Sequence, residues 1–75
     1  MNSEIIIEIF TDILDKEEGE ITEFSSPEDI DEWDSVATVN LIVAIESEFN
    51  IKLRLEDIEN AKNVKDFIGL VDNLS

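Results

Sequence analysis

Few residues in this chain are equipped for chemistry. It has no histidine, cysteine or tyrosine, so the commonest general base, the thiolate nucleophile and most zinc ligands are missing. Carboxylates are abundant, but none stands at a recognisable spacing from a base or nucleophile. No catalytic residue is nominated, and the chain reads as a non-enzyme. One hydroxyl stands out. Asp34-Ser35-Val36 follows a long polar segment and opens the most apolar stretch of the sequence. A serine in the first turn of a helix lies outside its hydrogen-bonded body and can offer its hydroxyl to a modifying enzyme. Taken alone, an Asp-Ser pair before a helix is an ordinary N-cap. Calcium is the other chemistry to weigh, because Asp29, Asp31 and Asp34 are spaced roughly like the start of an EF-hand loop. That loop needs glycine where Asp34 stands and glutamate where Asn40 stands, so no metal site is expected.

The elements that must position Ser35 can be read from hydrophobic periodicity. Ile6, Ile9, Phe10, Ile13 and Leu14 form one stripe of an amphipathic helix over residues 4–15, with Ser3 as N-cap and Gly19 suited to a left-handed end. Residues 20–34 make a long connection, which Ile21, Phe24, Ile30 and Trp33 should pin to the core; Pro27 can open a single helical turn. A second helix runs from Asp34-Ser35 to about Phe49 and is apolar on most of its circumference, with Asn50 as its stop. Ile51, Leu53 and Leu55 alternate with bases like a short strand, but no second strand exists to pair with it. Residues 56–60 read as one turn of helix. Asn63-Val64-Lys65-Asp66 resembles a capping box, with Asp in place of Glu, that launches a last helix through Val64, Phe67, Ile68, Val71 and Leu74. The fold class is all-α: a four-helix bundle of three main helices and one short one, with a long first loop.

Seventy-five residues allow one domain, taken as 1–75, of modest stability. No apolar run approaches the roughly 18 residues of a membrane span, and the N-terminus lacks the basic region of a secretory signal, so a cytoplasmic monomer is expected. Twenty acids against five bases give a net charge of −15. Nucleic acid and anionic membranes would repel such a chain, so its partners should carry basic patches. Such a charge also invites a reading as disorder, which the helical period and 43% hydrophobic content oppose.

Asp34-Ser35-Val36, at the head of this helix and behind this loop, resembles the attachment motif of acyl and peptidyl carrier proteins, with Val36 where that family usually has leucine. Thr38, Val39, Leu41, Ala44, Glu46, Glu48 and Phe49 fall where the family's second helix places similar residues, and length, acidity and helical plan agree. The resemblance implies that a phosphopantetheinyl transferase moves 4′-phosphopantetheine from coenzyme A onto Ser35, with Asp34 part of the motif. The arm's thiol then carries an acyl or aminoacyl group as a thioester to loading and accepting enzymes. A phosphodiester on Ser35 would lie at the positive end of the helix dipole.

The chain departs from the fatty-acid type of carrier on the helix face expected to meet partners. Val36, Ala37, Asn40, Ala44 and Ser47 make that stripe uncharged, leaving Glu46 and Glu48 as the acids of the helix. Trp33 before the motif also suits dedicated carriers better. The reading is therefore a carrier for a specialised acyl or polyketide-type pathway. The alternatives are the housekeeping carrier of fatty acid biosynthesis and lipid metabolism, a D-alanyl or peptidyl carrier, and an acidic interaction or inhibitor protein that uses no attachment site.

Overall fold

The computed structural model describes residues 2–74, and its elements are four α-helices: α1 (Asn2–Ile13), α2 (Ser35–Phe49), α3 (Leu55–Asn60) and α4 (Val64–Leu74). No strand occurs among the described residues, in agreement with the all-α expectation. α1 packs against both α2 and α4. Each long helix contributes one buried row: Ile6 and Phe10 from α1, Ala37, Leu41 and Ile45 from α2, and Val64, Phe67 and Val71 from α4. α3 buries no residue completely.

The helix ends follow local chemistry, with two departures from expectation. α1 starts at Asn2, which puts Ser3 inside the helix instead of at its cap. The helix also stops before Gly19. Asp15 takes the left-handed conformation (φ 55°), with its N–H donating to the Asp12 carbonyl and that of Lys16 to the Thr11 carbonyl, at 3.2 and 2.9 Å. These two bonds make a Schellman ending, which Asp tolerates because its short polar side chain suits the left-handed region. Gly19, also at positive φ (95°), serves a separate turn closed by Glu20 N–H on the Glu17 carbonyl, 3.1 Å. α2 ends as expected at left-handed Asn50 (φ 54°).

Residues 14–34 connect α1 to α2 and are held at both ends. Ile21 and Trp33 are buried and Ile30 packs half-buried against the core, but Phe24 is 69% exposed and pins nothing. The Ser26 carbonyl accepts from Asp29 and Ile30, at 3.0 and 3.1 Å, which closes the single helical turn behind Pro27. The connection also caps α4. Val64 N–H donates to the Ser25 carbonyl (3.0 Å) and Lys65 N–H to that of Glu23 (2.8 Å). Asp66 N–H goes to Asn63 Oδ1 at 3.0 Å. The first three amide donors of α4, which no helix can satisfy internally, are thereby paired. The reciprocal half of the expected capping box is displaced by one residue: Asp66 Oδ2 accepts from Lys62 N–H, 2.7 Å, instead of from Asn63.

Phe10, Phe67 and Trp33 meet at the centre with ring centroids 5.0, 5.7 and 6.2 Å apart, and the Phe10–Trp33 pair is T-shaped. Between α2 and α3, residues 51–54 are irregular, not a strand. Ile51 and Leu53 turn half inward, and Leu53 N–H donates to Glu46 Oε2 at 2.8 Å.

The bundle separates α2's apolar residues sharply: Leu41 is fully buried, whereas Val43 is 59% exposed. Leu41→Ala should therefore cost about 2–5 kcal/mol through lost transfer energy and an unfilled cavity. Val43→Ala should stay within about 0.5 kcal/mol. Urea unfolding midpoints at constant m-value measure both; similar losses for the two variants would contradict this packing.

Candidate functional site

The entry into α2 is built from Trp33, Asp34, Ser35 and Thr38. Asp34 is the N-cap, extended at φ −108°, ψ −170°, and its Oδ1 accepts from Ala37 N–H at 2.9 Å. Its carbonyl begins the helix ladder by accepting from Thr38 N–H, 2.9 Å, and also takes the Thr38 hydroxyl at 2.9 Å. The Thr38 oxygen in turn accepts the indole N–H of Trp33 at 3.0 Å. Backbone, hydroxyl and indole thus close a small ring of bonds around the residue that precedes Ser35. Thr38 had no assigned role from sequence, since only the fold shows that Trp33 turns back over the first turn to reach it.

Ser35 occupies the first helical position and is exposed; among the described residues none hydrogen-bonds its hydroxyl. With Ala37 N–H taken by Asp34, the amide groups of Ser35 and Val36 remain without partners among the described residues. A phosphodiester on Ser35 fits here: its oxygens would find two free N–H donors at the positive end of a helix of 15 residues. Beside Ser35 lies an open groove of about 460 Å³, whose lining includes Pro27, Trp33, Thr38, Ile58, Ala61 and Phe67.

The partner face expected along α2 is only partly as read. Val36 is 71% exposed, and Asn40, Ser47 and Glu48 are exposed with it, while Ala44 is half-buried. Ala37, however, is buried, because it shares its face with Leu41 and Ile45 at intervals of four. Glu46 is half-buried and holds the 51–54 segment through Leu53, so it caps a loop instead of facing a partner. The exposed ridge is completed by Val39 and Val43, both 59% exposed, at i+3 and i+7 from Val36. A stricter helical projection from Val36 would have found both.

Ten acids crowd the segment from Asp15 to Asp34. Lys16 sits among them and pairs with Glu32 at 3.0 Å, joining the end of α1 to the residue before Trp33. The hydrogen bond from Lys16 holds the Glu32 carboxyl below the usual glutamate value, and the same bond raises the Lys16 ammonium. Among the described residues no group of three or more acids is arranged to hold a metal ion. No helix among them is long and apolar enough to cross a membrane.

Comparison with known proteins finds similar chains and folds. Residues 4–71 match the family model described as "Phosphopantetheine attachment site". An acyl carrier protein of Petrotoga mobilis is 36% identical over 68 residues, which cover 91% of this chain and 80% of the relative. The fold is similar to that of a holo acyl carrier protein from Geobacter metallireducens: TM-score 0.86, 36% identity, covering 96% of this chain and 83% of the other. A Mycobacterium tuberculosis structure described as an acyl carrier protein gives a TM-score of 0.87 at 30% identity, covering 97% of each chain.

The ion pair sets a pH window beside the site. A carboxyl lowered in the folded state contributes stability above the ordinary glutamate value of 4.5, and that contribution is lost as pH falls through its folded value. A raised ammonium contributes below the ordinary lysine value of 10.5 and loses that contribution as pH rises through its folded value. Glu32→Gln should therefore lower the melting temperature slightly near neutral pH and low salt. The gap to wild type should close as pH falls below the carboxylate's lowered range and, through screening, near 1 M salt. A gap that persists at acid pH would show that the ion pair is not its cause.

Proposed function

The chain belongs to the phosphopantetheine-attachment family of carrier proteins, and from that premise we propose that Ser35 is its attachment residue and residues 1–75 its single carrier domain. The family carries substrates and catalyses nothing, in keeping with a sequence that lacks histidine and cysteine. What supports Ser35 is an exposed, unengaged hydroxyl on the first turn of α2 beside two free amide donors. In the transfer, the Ser35 oxygen attacks the pantetheine-side phosphorus of coenzyme A. A new P–O bond forms as the pyrophosphate bridge breaks, 3′,5′-ADP leaves, and the serine proton passes to a base on the transferase. When attached, 4′-phosphopantetheine supplies a terminal thiol that holds an acyl or aminoacyl group as a thioester.

This chain's own residues orient that arm. Asp34 fixes the start of α2, and the Trp33–Thr38 bond fixes the strand of chain leading into it. The ridge of Val36, Val39, Asn40, Val43 and Ser47 offers partners an uncharged surface on a protein of net charge −15. Rim charges mostly set association rate, while apolar anchors govern how long a complex lasts. This contrast favours a dedicated cytoplasmic pathway, whose loading and accepting enzymes meet the ridge through apolar contacts with basic groups around them. The housekeeping fatty-acid carrier is the second reading, favoured by the 36% identity to a relative named simply an acyl carrier protein. An aminoacyl cargo uses the same Ser35 chemistry.

Two measurements test this reading. Incubation with coenzyme A, Mg²⁺ and a broad-specificity transferase should add about 340 Da at one residue, and Ser35→Ala should add nothing while losing at most ~1 kcal/mol of stability. A modified alanine variant would refute the assignment. Adding acids to the ridge, with Asn40→Glu and Val43→Glu together, should speed transfer from fatty-acid enzymes at low salt and slow it from the dedicated loading enzyme. Ala37 is left untouched, because a carboxylate there would be buried. Equal service to fatty-acid enzymes by wild type and double variant would favour the housekeeping reading.

A further inference from the structure

We propose that Trp33 is a closed floor beneath Ser35, which confines the carried group to the surface groove and denies long alkyl chains the bundle interior. The inference rests on Ser35 as the attachment residue. From Ser35 the way to the aromatic centre of the core runs past Trp33, which lines the groove beside it. That route is filled. Trp33 is 5% exposed and in ring contact with buried Phe10 (0%) and with buried Phe67 (2%), which also lines the groove. The three rings contact one another at 5.0–6.2 Å, the packing of a protein interior without space for a guest.

The indole is also fixed in place. Its ring N–H is held by Thr38 at 3.0 Å, and its backbone N–H donates to the Ile30 carbonyl at 3.1 Å. Thr38 in turn is tied to the Asp34 carbonyl at 2.9 Å. An entering chain would have to move the ring off Phe10 and unpair a buried N–H, which hydrocarbon cannot satisfy. Nothing comparable closes the groove on its outer side, where α3 buries no residue. The groove, about 460 Å³ and bounded partly by Asp34, Thr38 and Glu59, accepts a short or polar group along the surface. Long chains project past it, toward solvent or a partner enzyme. The expected cargo class is therefore short or oxygenated acyl groups, with Trp33 the residue that sets the limit and Thr38 positioning it.

The test loads wild type with butyryl-, octanoyl- or dodecanoyl-pantetheine from the matching coenzyme A thioester. Thermal unfolding and the emission of Trp33, the chain's one tryptophan, are then read for each. Loading is verified by intact mass. The three wild-type forms should melt within about 2 °C of one another with unchanged emission, since added methylenes gain no burial. Thr38→Val, which keeps the shape but frees the indole, should melt progressively higher with chain length and shift its emission. Trp33→Leu, read by melting alone, should rise still more steeply with chain length where it folds. A wild type whose melting temperature climbs from butyryl to dodecanoyl, with a shift in emission, overturns the closed floor. So does a flat response in Thr38→Val and Trp33→Leu alike. Failure to gain any mass overturns the Ser35 reading itself and the floor with it, an outcome distinct from a loaded protein that shelters its chain.

Discussion

The burial of one indole organises the rest of the molecule. Residues 14–34 carry ten acids if Asp15 and Asp34 are included, and a segment of that charge has little reason of its own to lie against a bundle. Trp33 provides the reason, with a large apolar ring set edge-on to Phe10 and a ring N–H that finds Thr38. Once the ring is in place, Asp34 must follow at the start of α2, its carbonyl already committed to the Thr38 hydroxyl and amide. Ser35 is then presented outward with its hydroxyl free. The outward position of Ser35 and the packing of the central rings both depend on this contact.

The long connection acts as structure because its backbone is used. Carbonyls of Glu23 and Ser25 accept from the first two amides of α4, and the hydroxyl of Ser25 accepts from Thr22 N–H at 3.0 Å. A helix end that would otherwise expose unpaired donors is covered by a loop that would otherwise be loose. Ser25, the one buried polar residue among those described, sits where these demands meet. The effect is to couple α4, whose Phe67 lies beneath the groove, to the segment that delivers Ser35.

Charge is distributed with equal consequence. Acids cover the loop and the outer side of α1, and Lys16 answers Glu32 within them. The outward face of α2 carries Val36, Val39 and Val43 in the open. On a chain of net charge −15, repulsion opposes self-association through these exposed apolar residues, which stay available as an anchor for a basic partner. A carrier must be held by each enzyme and then released, and a small uncharged ridge in an acidic field suits brief docking better than a permanent interface.

How much of this was legible beforehand depended on whether a feature was local. The four helices, the Asn50 stop, the Asn63 cap and the exposed Asp34-Ser35 turn follow from periodicity and capping chemistry, which act within a few residues. The resemblance carried by residues 33–49 supplied the arm, for which composition alone offers no argument. Ala37 and Glu46 were misassigned as partner-facing because α2 is apolar nearly all round, so its pattern does not say which side a neighbour will cover. Contact with α1 decided that Ala37 goes in with Leu41 and Ile45, and the course of residues 51–54 decided that Glu46 meets Leu53 N–H. Phe24 looked like an anchor and is exposed, while Thr38 looked incidental and fixes the indole. Periodicity could name the helices because hydrogen bonding along a helix is a matter of neighbours. Which apolar face is covered, and where a tryptophan finds its acceptor, depends on elements distant in the chain, and only their packing decides it.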